Sequence, residues 1–151
     1  MRKINKKLSI ILVDDDSDDR MLFAKALDTI LSDYEFLSFS NGMDAIDHFK
    51  KLSEHDKLPD LLFLDINMPI IDGLETLEIL RGQQKLQWLP IAMYSTSSRE
   101  EDIHTALVSG ANIYINKPSS FDKLTEALRK VLQANIHNDG ELRLDTFLLS
   151  V

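Results

Sequence analysis

Cysteine is absent from the 151 residues, which removes disulfides, thiolate metal sites and cysteine nucleophiles together and is compatible with a reducing compartment. Long hydrophobic runs are absent as well: none approaches the roughly 18 to 20 apolar residues that span a bilayer. The basic start, MRKINKK, runs straight into Leu8-Ser9-Ile10-Ile11-Leu12-Val13 and then into acids, without the small-residue cleavage site of a secretory signal. Positive charge is in deficit, with 17 Lys and Arg against 25 Asp and Glu and a formal net charge of -8. Nucleic-acid phosphates would be repelled, so no direct DNA binding is expected. His48, His55, His104 and His137 are scattered without metal-ligand spacing, which argues against zinc. There is no repeat and no low-complexity linker. What remains is a cytoplasmic chain of about one domain, long enough to bury a core of its own.

Short apolar runs that stop at polar or charged residues are plentiful. Leu61, Leu62, Phe63 and Leu64 are apolar at every position rather than every second one, the pattern of a strand buried on both faces of a parallel sheet. Leu8–Val13, 34–39, 91–94 and 112–116 read as four further strands. Between them, apolar residues recur at helical spacing: Leu22, Phe23, Ala26, Leu27, Ile30 and Leu31; Ala45, Ile46, Phe49 and Leu52; Leu74, Leu77 and Leu80; Ile103, Ala106 and Leu107; Phe121, Leu124, Leu128, Val131 and Leu132. Ser17 is the expected N-cap of the first helix and Ser119 or Ser120 of the last, while Trp88, just before Pro90, is expected to pack. Five strands alternating with five helices imply right-handed crossovers and an α/β sheet with helices on both faces.

Ligands of such sheets bind at the carboxyl ends of the strands, and reactive side chains gather there. Asp14, Asp15 and Asp16 follow the first strand, Asp65 the third, Ser95 the fourth and Lys117 the fifth. Acids facing one another across the sheet are unfavourable without a cation. Carboxylate oxygens with no His or Cys beside them suit a hard ion such as Mg²⁺. A carboxylate, a metal, a lysine and a hydroxyl around one point make a phosphoryl-transfer site with an aspartate nucleophile.

The segments VDDD (13–16), LDINMPIIDG (64–73), PIAMYSTSS (90–98) and GANIYINKP (110–118) together resemble the receiver domain of two-component response regulators, over about residues 8 to 135. The resemblance implies a (βα)5 doubly wound, flavodoxin-like sheet of order 2-1-3-4-5, with residues 1–136 as a CheY-like receiver and 137–151 as a tail. It implies Asp65 as phospho-acceptor; Asp14, Asp15, Asp65 and the Asn67 backbone carbonyl around Mg²⁺, with Asp14 acting through water; and Lys117 as phosphate-binding lysine. It further implies Ser95 and Tyr114 as switch residues, Thr96 being the alternative to Ser95, and a cis bond before Pro118. A stand-alone receiver of this kind takes its phosphoryl group from a sensor histidine kinase or phosphotransfer protein. It is not a conventional enzyme, although it promotes phosphoryl transfer to its own aspartate and the hydrolysis that follows. It signals through the face made by the fourth helix, fifth strand and fifth helix. DDDSDDR and KPSS are similar to a subgroup of which some members serve phytochrome-type kinases. The alternatives are a pseudo-receiver that binds partners without phosphorylation and a haloacid-dehalogenase-like phosphatase. The latter uses a second Asp two residues on, as Asp14 and Asp16 would supply, but needs further acids after the lysine. The tail carries a turn signal at Asn138-Asp139-Gly140, and its expected alternatives are to fold back, extend a sheet edge, join a homodimer or remain a loosely attached terminus.

Overall fold

A computed structural model describes residues 2–137 and 148–149. Five β/α units follow in order: β1 (Leu8–Val13) and α1 (Ser17–Ile30), β2 (Tyr34–Phe39) and α2 (Gly42–Lys50), β3 (Leu61–Leu64) and α3 (Gly73–Arg81), β4 (Ile91–Ser95) and α4 (Glu100–Val108), β5 (Ile113–Asn116) and α5 (Phe121–His137). A short 3-10 turn, Gln84–Leu86, lies between α3 and β4. The strands are parallel in the order β2-β1-β3-β4-β5, the flavodoxin-like receiver order, and Leu148–Leu149 add a sixth strand, β6, parallel to β5. The expected turn at Asn138-Asp139-Gly140 lies outside the described residues.

The continuous apolar runs are explained by two cores. Ile10, Leu12, Leu61, Phe63, Tyr94 and Ile115 point to the side covered by α1 and α5. Their neighbours Ile11, Val13, Leu62, Leu64, Met93 and Tyr114 point to the side covered by α2, α3 and α4. Successive side chains of a strand face opposite ways, so a strand between two helical layers has no solvent side to leave polar. Each Leu or Phe so buried is worth about 1.5–3 kcal/mol. Phe23 anchors the first core, its ring centroid lying 4.9 Å from that of Phe63 and 5.6 Å from that of Tyr94.

Three details differ from the sequence reading. Asp16, not Ser17, caps α1, its side chain accepting from the Asp18 and Asp19 amides; a carboxylate there also meets the positive end of the helix dipole. Trp88 does not pack but is 85% exposed. It lies in the turn between Leu86 and Leu89, which are both buried and take the inward positions. Helix α4 is held weakly: Ala106 is its one buried residue, and Leu107 and Val108 stay exposed. Among the described residues no helix is long and apolar enough to cross a membrane.

Candidate functional site

Sheet register brings the acids together. Val13 pairs with Leu64, and the Asp65 amide donates to the Val13 carbonyl at 2.9 Å, so the residues that follow each strand, Asp14 and Asp65, are neighbours at the same edge. The loop after Asp65 turns back tightly, with the Gly73 amide donating to the Ile66 carbonyl at 2.7 Å. A Cβ at position 73 would overlap the Asp65 carbonyl; only glycine permits that approach. One register further along, Ser95 pairs with Asn116 and the Lys117 amide donates to the Ser95 carbonyl at 2.8 Å. The hydroxyl and the lysine are thereby delivered to the edge that holds the acids.

Lys117 is the hub. Its ammonium donates to Asp14 Oδ2 at 2.8 Å, Asp19 Oδ2 at 2.9 Å and Asp65 Oδ2 at 3.2 Å, which uses all three of its protons. It also lies 5.2 Å from the centre of the Tyr94 ring. Asp14 is fully buried, and its other oxygen accepts from the Asp16 amide. Asp65 is 5% exposed, and its Oδ1 accepts from the Ile66 amide at 2.8 Å. Burial pushes the Asp65 carboxyl up; the Lys117 charge pulls it back, the Asp14 charge raises it again, and the outcome is about 6. Burial by itself would lower the Lys117 ammonium. The hydrogen bonds to Asp14 and Asp19 and the charges of Asp65 and Asp14 outweigh it, and the net direction is upward.

One lysine therefore does not fully compensate the acids around it. Asp14, Asp15 and Asp65 each place a carboxylate oxygen within 4.8 Å of the others. Asp15 is exposed and the other two are buried, so the cluster has an open side. An all-oxygen, anionic donor set with spare negative charge fits a hard divalent cation. Asn67 is exposed in the loop two residues beyond Asp65.

Ser95 is fully buried at the end of β4, and its Oγ accepts from the Ser97 amide at 3.1 Å. Thr96, the alternative, is exposed and lines a groove of about 360 Å³ beside Lys117, together with Asp19, Leu22, Tyr94 and Phe121. Tyr114 is fully buried rather than turned out, and its hydroxyl donates to the Ser97 carbonyl at 2.8 Å. The Lys117–Pro118 bond is trans, contrary to expectation, and there is no cis bond among the described residues. Trans is the intrinsic preference by about 0.5–1 kcal/mol, and with it Lys117 already reaches its three carboxylates.

Sequence reading missed Asp19. By sequence alone Asp19 reads as a helix-start acid, one of two in the first turn of α1. It falls on the stripe of Phe23, Ala26 and Ile30, all buried, and that spacing was the available signal that it faces inward. Ser97 joins Ser95 to Tyr114 through its backbone amide and carbonyl, contacts that no side-chain pattern reveals.

A model of the response regulator receiver domain matches residues 10–129. The chain belongs to this family. The chemotaxis protein CheY homolog of Campylobacter jejuni is 34% identical over 125 residues, covering 83% of this chain and 92% of that protein. Among solved structures, the phosphorylated cyanobacterial phytochrome response regulator RcpA aligns with a TM-score of 0.79 at 27% identity, covering 88% of this chain and 96% of its own. The Mn²⁺-bound form of response regulator Rcp1, a protein of Synechocystis, aligns with a TM-score of 0.73 at 26% identity, covering 82% and 91%. Receiver domains bind a divalent metal, and in this receiver the group that could hold one is Asp14, Asp15 and Asp65.

Proposed function

We propose that this receiver takes a phosphoryl group onto Asp65 from a phosphohistidine of a sensor histidine kinase or phosphotransfer protein, with Mg²⁺ as the metal. The observation that carries the reading is the convergence on Asp65 of a lysine and two further carboxylates, at the sheet edge where β4 also ends, in Ser95. Asp14, Asp15, Asp65 and the Asn67 carbonyl would hold the ion, which supplies charge neutralisation for the phosphoryl oxygens in transit.

The remaining chemistry falls to the chain's own residues. An Asp65 carboxylate oxygen forms the bond to phosphorus as the phosphorus–nitrogen bond of the donor breaks, and the electron pair leaves on the imidazole, which takes a proton from solvent. Ionised Asp65 predominates above its value of about 6, so no general base is needed at neutral pH. Lys117 stabilises the transferred oxygens with a charge-assisted hydrogen bond. Ser95 offers one more donor once its loop moves.

Output follows from the same loop. Ser97 bonds both Ser95 and Tyr114, and its Oγ donates to Asp102 Oδ2 on α4 at 2.6 Å. A phosphoryl group that draws Ser95 inward would pull on Tyr114 and on the weakly anchored α4 together. The face of α4, β5 and α5 then changes its affinity for a partner protein; β6 lies at the β5 edge of that face. Incubation with Mg²⁺ and acetyl phosphate tests the reading: the expected result is a mass increase of one phosphoryl group, absent with chelator and in Asp65→Asn. Steady turnover of phosphate esters would point instead to a phosphatase.

A further inference from the structure

Lys117 has three carboxylate partners, and they are not equivalent. Asp14 and Asp65 belong to the group that could hold a metal ion; Asp19 does not. Asp19 sits on the α1 side, 35% exposed at its side chain against 0% for Asp14 and 6% for Asp65. It is nevertheless firmly placed. Its amide donates to the Asp16 cap at 3.0 Å, and the Arg20 guanidinium of the same turn donates to the Asp14 carbonyl at 2.7 Å. The carboxylate therefore reaches Lys117 from a turn pinned to the β1 end.

A divalent cation at Asp14, Asp15 and Asp65 changes the balance around the lysine. It takes up the charge of two of the three carboxylates that hold the ammonium, and it repels the ammonium at short range. Without another partner, a flexible lysine would swing into the adjoining groove, where its cost of burial is relieved by water. Resting on the receiver reading above, we infer that Asp19 is a positioning residue. It keeps the Lys117 ammonium beside Asp65 when the metal cluster is filled, so that the lysine is in place to meet the incoming phosphoryl oxygens. Asp19 touches neither phosphorus nor metal in this role and acts only through Lys117.

The test reads Lys117 directly and uses no phosphoryl transfer. The whole chain is treated with acetic anhydride with and without saturating Mg²⁺, and acetylation of Lys117 is followed by peptide mass analysis. Mg²⁺ binding is measured on the same samples by calorimetry. Asp18→Asn is the control, since Asp18 carries the same charge change in the same helical turn, is exposed and has no contact with Lys117. With Mg²⁺ bound, Lys117 stays protected in the native chain and in Asp18→Asn. It becomes roughly five- to tenfold more reactive in Asp19→Asn, and Asp19→Glu recovers most of the protection. Equal Lys117 protection in Asp19→Asn and Asp18→Asn, with Mg²⁺ bound to both, overturns this assignment alone. A native chain that binds no Mg²⁺ overturns it together with the receiver reading.

Discussion

The Tyr114 hydroxyl donates to the carbonyl of Ser97 at 2.8 Å, and the amide of that same serine donates to Ser95 Oγ at 3.1 Å. One loop residue thus joins the buried aromatic to the strand-end hydroxyl. Tyr114→Phe removes the donor and takes this partner from the half-buried Ser97 carbonyl, which costs about 0.5–1.5 kcal/mol. The urea midpoint should fall with no change in slope, and amides of residues 96–99 should exchange faster. An unchanged midpoint and unchanged exchange would mean that the bond contributes nothing to holding the loop.

The Asp65 carboxyl titrates at about 6 in the folded chain against an ordinary value of 3.8. The folded state therefore binds a proton more tightly than the unfolded state between these values, and stability falls as pH rises from about 4 to about 6. With chelator present, Asp65→Asn should be more stable than the native chain by about 3 kcal/mol at pH 7 and no more stable below pH 4. Thermal melts across that range check the sign. A variant less stable at pH 7 would contradict it.

Removing the hub should be costly. Lys117→Met leaves Asp14 buried with no cation, and loss of one partner of such a cluster costs about 3–5 kcal/mol. Saturating Mg²⁺ should restore part of the loss by binding the folded form. Chemical denaturation with and without Mg²⁺ distinguishes this from simple loss of packing: the gain from Mg²⁺ should be larger in Lys117→Met than in the native chain, and equal in the two if only packing was lost.

Ile70 sits at φ 75° and is 81% exposed. A β-branched residue in the left-handed region is strained by about 1–2 kcal/mol, and with so little burial it has small compensation from packing. Ile70→Asn should stabilise the chain by about 0.5–1 kcal/mol, seen as a higher melting temperature. A lower one would mean that the isoleucine makes a contact worth more than its strain.

Much of the fold was legible because apolar runs end at reactive residues. Leu61–Leu64 stopping at Asp65 and Leu8–Val13 stopping at Asp14 give strand, direction and site at once, and burial of β3 on both faces follows from its unbroken apolar pattern. Asp19 was obscured because the helix dipole already accounts for an acid in the first turn. Trp88 was misjudged because bulk suggests burial, whereas the flanking Leu86 and Leu89 had the inward register. The trans bond at Pro118 rests on an energy difference too small for residue identity to decide. Strand β6 is two residues long, below the length at which alternation carries information, and only the open edge of β5 gives it a place.

Locating the phosphoryl group tests the central claim most directly. The native chain is incubated with Mg²⁺ and acetyl phosphate, reduced with borohydride to convert any aspartyl phosphate to homoserine, digested and mapped by mass spectrometry. The account predicts homoserine at position 65, Mg²⁺-dependent and absent from the Asp65→Asn chain. Modification at Asp14, Asp15 or a serine in place of Asp65, or none in a folded chain with Mg²⁺ bound, would contradict it.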